Sequence, residues 1–453
     1  GPMIFTKKDG KVADFGKLSF ATGNRCAHFV RLSDTSSAAT LAHFLEKYWR
    51  LRRPDVLISV TGSAASLQLT SQLQRVFDRG LAAAAAMTNA WIFTGGTDSG
   101  VMKLVGDAMH KGGLVDVPLV GIAPFGALHG RKALAGTKGQ EVHVSGSSSG
   151  GSGGGSGAGS AGGNGARSEV EGRLNPYHTH FILVDTGPDS LKWGSEIGLR
   201  SRLEKCYATS KGVPVVLLVV QGGAGTLDMM LASAELGCPL LVLSDSGGAA
   251  TAISQFCESN SIDAVEDRTF VELEPKLNAL AQLHAARGNT LLSFFRLQDE
   301  DSQNNMSSAI LGALFRNLIF HQTGEAVVAD ARTPHTATLA AKRSSVPEKL
   351  FAASAEILKR YRDQMQRALL LTVKWNQPGF ARRILIDLPS RLDHSRPIRK
   401  MLQHALEYQR VEIVRLLLER PGVEVAAANL CQLYLLEDPY NFFRSDASLG
   451  LND

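Results

Sequence analysis

Cysteine is sparse in this 453-residue chain: there are five, with no C-x-x-C pair among them. Cys26, Cys206, Cys238, Cys257 and Cys431 are odd in number and widely spaced, which excludes a disulfide framework and fits a reducing compartment. Cys206, Cys238 and Cys257 lie in or beside apolar stretches, where a thiol is an inert core group. Long apolar runs are missing too. The longest, Leu81 to Met87 and Val215 to Val220, fall far short of the roughly 18 residues a membrane-crossing helix needs, so no direct membrane insertion is expected. Nor does one sign of charge dominate: 48 basic and 43 acidic residues leave a formal +5, too small an excess to make nucleic acid the main partner. Metal ligands are thin as well. His178 and His180, in Tyr-His-Thr-His, fall on one side of a strand and could share a metal, but no third ligand stands near, and packing histidines are the plainer reading.

What the chain does have is six short apolar runs that each end in a small or glycine-bearing turn: LISVTGS from 57, WIFTGGTDSG from 91, VGIAPFG from 120, FILVDTG from 181, VVLLVVQGGAGT from 215 and LLVLSDSGG from 240. Each gives way to a helical pattern, which reads as strand, turn, helix. Six such units predict an open, doubly wound parallel sheet over residues 1–265, with all its strand exits on one edge. Helical patterns are expected at Ala38 to Arg50, Leu67 to Ala86, Gly100 to His110 and Leu227 to Leu236. Ser145 to Gly165 is almost wholly Ser, Gly and Ala and is expected to loop out of this domain as a flexible insertion. Beyond 265 the strand signals fade and residues 266–453 read as all helical. WNQPGFARRIL from Trp375 and YQRVEIVRLLL from Tyr408 align at a spacing of 33 residues, the ankyrin period, though a helical bundle remains open.

The strand exits carry the candidate chemistry. Glycine lets backbone amides approach a ligand, and the helix N-termini that follow favour anions, so phosphate or nucleotide binding is the predicted function. Two turns stand out. Thr94, Gly95, Gly96 and Ser99 belong to a T-G-G-T-D-S-G turn that is neither G-x-G-x-x-G nor a P-loop; Gly222, Gly223, Gly225 and Thr226 form a G-G-x-G-T turn after a buried strand. Thr61, Gly62 and Ser63, and Ser246 and Gly247, occupy equivalent strand ends. Asp185 can accept from ribose hydroxyls or cap a turn. In LKWGSEIGLRSRLEK, Glu196, Arg200 and Glu204 recur every four residues, either as a solvated row of ion pairs or with Arg200 gripping a phosphate and Trp193 offering a flat face to a base.

These motifs, in this order, resemble the N-terminal cytoplasmic homology region of melastatin-type transient receptor potential channels. The residues that carry the likeness are YWRLRRPDVLISVTGS, WIFTGGTDSGVMKLVGDAM, VGIAPFG, HTHFILVDTG, EIGLRSRLEK and QGGAGTL, with SFFRLQDEDSQNNMSSAILGALFRN and LLLTVKWNQPGFARRILI resembling the helical region that follows. The likeness is strongest to the ADP-ribose-gated member. It implies a Rossmann-like fold followed by ankyrin-like helices, and an ADP-ribose or related adenine nucleotide held without turnover by a soluble region on the cytoplasmic side of a calcium-permeable, non-selective cation channel of four like subunits. An aromatic and an Arg seven residues later contact the ligand in that member, and they map onto Trp193 and Arg200. A second phosphate-side Arg falls on Gly248, a departure for which the Arg131-Lys132 pair is the candidate substitute. Related phosphoribohydrolases carry an acidic residue three positions after the Thr of G-G-x-G-T; here that position is Met229, and a thioether cannot stabilise an oxocarbenium-like state. No catalytic residue, cofactor or metal is expected. A nucleotide hydrolase and an assembly module with a vestigial pocket are the rival readings.

Overall fold

The computed structural model describes residues 14–21, 25–64, 70–144, 171–187, 193–297, 306–316, 366–387, 395–420 and 423. The expected insertion at 145–165 and Cys431 lie outside them. The chain divides into two units, one of Gly1–Lys211 with Val215–Met306 and one of Gly212–Pro214 with Ser307–Asp453.

The first unit holds one ten-stranded sheet in the order β10-β9-β8-β3-β4-β5-β7-β2-β1-β6. Its strands are β1 (Asp14–Phe20), β2 (Arg25–Ser33), β3 (Val56–Gly62), β4 (Ala90–Thr94), β5 (Leu119–Pro124), β6 (Lys138–Val144), β7 (His180–Asp185), β8 (Val215–Val220), β9 (Leu240–Leu243) and β10 (Leu292–Phe295). Every pairing is parallel except β1 with β2. The six apolar runs are β3, β4, β5, β7, β8 and β9. All but their last residues are buried, as strands covered on both faces require. The fold is Rossmann-like α/β.

Four strands were not foreseen. β1 and β2 mix charge into a half-buried alternation, and β6, KGQEVHV, is a mostly exposed edge strand with no apolar run. β10 lies beyond residue 265 and pairs in parallel with β9, so residues 266–306 belong to the sheet-bearing unit, against the expected boundary at 265. The composition changes at 265 because α8 lies there, not because the domain ends.

The helices of this unit are α1 (Ala38–Lys47), α2 (Ser71–Arg75), α3 (Ala82–Ala86), α4 (Gly100–Lys111), α5 (Ile197–Lys205), α6 (Ala224–Glu235), α7 (Gly248–Ser259) and α8 (Glu274–Ala286). A π-helical segment, Val76–Leu81, joins α2 to α3. Hydroxyl N-caps start α1 and α2, where Ser37 accepts from Thr40 N and Thr70 from Leu73 N. The chain leaves β3 toward β4, β5 and β7 on one side of the sheet, then returns to build β8, β9 and β10 on the other. Strand order therefore reverses between β3 and β8, where an open α/β sheet forms a crevice outside its strand C-termini.

Among the described residues, the second unit holds α9 (306–316) from Ser307 onward, α10 (366–374), α11 (Pro378–Asp387), α12 (Ser395–Glu407) and α13 (Val411–Leu418). Two copies of one helix-turn-helix follow each other here. Asn376 (φ 49°) and Gln409 (φ 53°) are both left-handed, and the bonds Gln377 N to Thr372 O (2.8 Å) and Arg410 N to Ala405 O (2.8 Å) recur 33 residues apart. Leu369 and Leu402, and Ile384 and Leu417, are buried at matching positions. The Arg410 guanidinium donates to the carbonyls of Val373 and Lys374, both at 3.2 Å, tying the second copy to the C-terminal end of α10.

Candidate functional site

The crevice between β3 and β8 is walled by strand-end turns. After β8 the backbone passes through left-handed Gln221 (φ 53°) and Gly222 (φ 96°) into Gly223, the N-cap of α6, which brings no side chain to cap the helix. A Cβ added at Gly223 or Gly225 meets nothing within 4 Å, and Gly223, Ala224 and Gly225 are exposed, so the first amides of α6 face open space. Gly222 has another task. Its Cβ would lie 2.2 Å from Thr226 Oγ1, so glycine is what lets the buried Thr226 fold back over the turn.

The turn after β9 interlocks with it. Gly248 (φ 54°) sits so close that a Cβ there would lie 2.3 Å from the Gly222 carbonyl oxygen, and Ala249 N donates to that same oxygen at 2.9 Å. Ser246 Oγ accepts from Gln221 N (2.9 Å) and donates to Leu243 O (2.6 Å), while Gly247 N donates to Thr251 Oγ1 (2.9 Å). Ser246, expected at the ligand, is thus engaged in joining the two turns, and Gly247, also expected there, is bonded within the start of α7. Gly248 cannot simply be exchanged for the cation the resemblance leads one to expect.

After β3, a Cβ at Gly62 would lie 2.0 Å from Val220 O, and one at Gly100 would lie 1.9 Å from Ser63 O, which accepts from Val101 N at 2.9 Å. These glycines bring three strand ends together; Thr61 and Ser63 remain half-exposed. In the turn after β4, Thr94 is wholly buried and bonded to Gly96 N (2.9 Å) and His178 Nε2 (2.7 Å). Thr94 and Gly96, expected at the ligand, therefore serve the protein interior. Gly95 and Ser99 are half-exposed, and Ser99, bonded to Thr97 at 3.1 Å, is the N-cap residue of α4.

Arg200 is 5% exposed and faces inward from α5. Its Nη2 donates to Ser59 Oγ (2.6 Å), Val60 O (2.9 Å) and Phe93 O (3.3 Å), and its Nε to Glu204 Oε1 (3.1 Å). Ser59 Oγ donates to Glu204 Oε1 at 2.5 Å. Nη1 has no partner among the described residues. The row Glu196, Arg200, Glu204 is thus no solvated stripe: burial raises the Glu196 and Glu204 carboxyls above the usual range, with Arg200 pulling the other way. Trp193 is 43% exposed, and its ring lies over Gly172, whose Cβ would meet Cη2 at 2.6 Å.

Asp185 takes the turn-capping alternative. It accepts from Gly187 N (2.9 Å) and pairs with Arg31 (Nη2, 2.6 Å), which also holds Asp14 (2.7 Å). Arg131 is bound to Glu171 and to Leu128 O, which removes it as a spare cation. Both ring nitrogens of His178 are engaged, by Thr94 and by Asn175 Oδ1 (3.0 Å), and burial lowers its pKa to about 3. Met229 is buried in the apolar cluster of α6, with Ser201 Oγ 3.9 Å from its sulfur, while Asp228 turns outward to Lys276 (2.5 Å). No group of three or more potential metal ligands occurs among the described residues. Ser59, Glu204, Arg31, Asn175 and His178 are key polar residues whose pairing is not evident in the sequence; the one visible signal is a serine inside the apolar LISV run.

The chain matches the family described as SLOG in TRPM over residues 27–152 and 161–288, more than half its length. It belongs to this family. The SLOG match breaks between 152 and 161, inside the expected Ser/Gly insertion. Among curated relatives, the chain is 32% identical over 339 residues to a transient receptor potential cation channel subfamily M member-like 2 of Nematostella vectensis, covering 67% of this chain and 21% of that protein. It is 30% identical over 334 residues to subfamily M member 2 of Rattus norvegicus, with the same coverage, and 28% identical over 459 residues to the trpm channel of Drosophila melanogaster, covering 94% of this chain and 19% of that protein. Subfamily M member 1 of Mus musculus is 31% identical over 333 residues. The chain spans about a fifth of the length of these relatives.

Proposed function

We propose that this SLOG region is the ligand-sensing cytoplasmic part of a calcium-permeable cation channel of four like subunits, and that it binds ADP-ribose or a close adenine nucleotide without turning it over. The observation that carries the reading is the uncapped N-terminus of α6 at the β3/β8 crossing, open over Gly223 and Gly225. Helix N-termini favour anions because their amides are unsatisfied and the peptide dipoles sum there to a partial positive charge. Arg200, held against β3 and β4 at Val60 and Phe93, is the cation this reading assigns to the phosphates, and the exposed Trp193 offers a face for a base or ribose. The 33-residue repetition of α10–α11 in α12–α13 supports an ankyrin-like second domain that passes closure of the crevice onward. A ligand gates only through its difference in affinity between two states.

Turnover is disfavoured because Met229 occupies the inward position where a carboxylate would work, and Asp228 points away from it. A second reading, a pocket without a ligand in an assembly module, is favoured by Gly248, Ser246 and Asp185, which give the crevice no further cation and no spare acceptor. Calorimetry of ADP-ribose against the purified chain tests the proposal. Saturable heat with no released base or ribose 5-phosphate supports it; no heat refutes it in favour of the assembly module.

A further inference from the structure

Asn175, Thr94 and His178 are at most 2% exposed, and together they make a hydrogen-bond chain that begins and ends on the same turn. Its direction follows from chemistry. A carboxylate accepts only, so the Asn175 amide nitrogen must be the group facing Asp98 Oδ1 (2.9 Å), which leaves the amide oxygen facing His178 Nδ1 (3.0 Å) and Tyr177 N (3.0 Å). An amide oxygen also accepts only, so Nδ1 carries the proton. Nε2 of the neutral ring is then an acceptor, Thr94 donates its hydroxyl proton to it (2.7 Å), and the Thr94 oxygen receives Gly96 N–H (2.9 Å). Two backbone bonds run alongside: Asn175 N donates to Gly96 O (3.0 Å), and Asp98 N donates to Arg173 O (2.7 Å).

Room for this chain is built into α4. A Cβ at Gly106 would lie 2.4 Å from Asn175 Oδ1, so that helix carries glycine where the amide passes. The same segment also seats the exposed aromatic, since Trp193 lies over Gly172, which is bridged to Leu128 while Leu174 is bridged to Thr97. Residues 172–178 therefore hold the T-G-G-T-D-S-G turn from behind. Asp98, the exposed residue of the turn, is held by Asn175 and Lys103, and Gly100 packs on Ser63; what remains for a ligand is half-exposed Gly95 and Ser99.

We infer that Asn175 and His178 are positioning residues for the nucleotide crevice: they lock the Thr94–Gly100 turn so that Gly95 and Ser99 are presented to the ligand without touching it themselves. The inference rests on the adenine-nucleotide reading of the site. A lock of this kind raises affinity because the turn need not be ordered when the ligand arrives.

The test uses the full chain with Thr94→Val, which keeps the shape and removes the hydroxyl, His178→Ala, and Thr94→Ser, which restores the hydroxyl. ADP-ribose affinity is measured by calorimetry and amide hydrogen exchange is followed at residues 95–100. The expected result is binding roughly fivefold to fiftyfold weaker in Thr94→Val and His178→Ala, faster exchange confined to the turn, and recovery of both in Thr94→Ser. Unchanged affinity overturns the inference whatever the exchange does. Weaker binding with unchanged exchange overturns it too, because the residues would then act on the ligand directly. If the parent chain binds no ADP-ribose, the nucleotide reading fails, and exchange alone decides the lock: faster exchange in both variants sustains it and unchanged exchange removes it.

Discussion

Gly223→Asp should push stability and ligand affinity in opposite directions. Gly223 has φ −129° and ψ −151°, extended backbone open to any residue, and its added Cβ meets nothing within 4 Å, so aspartate enters without strain. At the N-cap its carboxylate can accept from the amides of the first turn of α6. That contribution is a few tenths of a kcal/mol over glycine, with about 0.3–1 kcal/mol more from the helix dipole. The same carboxylate occupies the space a phosphate would take. Two unit charges about 4 Å apart at an effective dielectric of 20 repel by ~4 kcal/mol, and even a third of that, left after solvent screening, weakens binding about tenfold. Denaturant unfolding and ADP-ribose calorimetry on the same samples read both effects, with Gly223→Asn as the uncharged cap. Stability equal to or above the parent, with binding about tenfold weaker in the aspartate variant than in the asparagine variant, which fills the same space without the charge, is the expected result. If Gly223→Asp binds like the parent, the α6 terminus does not hold the anion and the proposed site is misplaced.

Arg200→Ala should cost about 3–5 kcal/mol, because it leaves Glu204 charged and unpaired in the interior; for a domain of this size that lowers Tm by roughly 2–4 °C per kcal/mol. A carboxyl with a raised folded pKa gives stability that is present in acid and lost as pH rises, so the deficit of Arg200→Ala should shrink as pH falls toward the ordinary carboxylate range near 4.5, measured by melts across pH. Gly248→Ala, with φ at 54° and a carbonyl 2.3 Å from the new Cβ, should destabilise by about 1–3 kcal/mol in denaturant titrations, and Gly248→Arg should do no better. His178 and His180, each lowered to about 3 by burial, are neutral when folded, so acidification below about 6.5 should remove at most ~1.4 kcal/mol per pH unit for each; replacing His180 with Gln should flatten that slope by one proton.

The parallel core of the sheet was legible because strands buried on both faces are written as unbroken β-branched runs, as in VVLLVV of β8. The edges were not, since β6 is exposed and β1 needs only alternate residues inside. β10 was hidden by its length of four residues and by the helical composition around it. At the candidate site, the glycine turns could be read as places of close approach, but not what approaches. Gly62, Gly96, Gly222 and Gly248 meet other backbone or a folded-back threonine, whereas Gly223 and Gly225 meet open space. Sequence spacing put Glu196, Arg200 and Glu204 on one face of a helix; that the face turns inward depends on Ser59, 141 residues before Arg200, and no local pattern records that pairing.

The contact between Gly222 and Gly248 ties the histories of two distant positions together. A side chain at 248 can arise only if the backbone at 222 has already retreated, and a different backbone at 222 would open the lid that Thr226 closes. Substitutions at these two sites should therefore travel as a pair through related chains. The same contact makes the turns after β8 and β9 one mechanical piece, so an anion that shifts the first amides of α6 must also shift the start of α7.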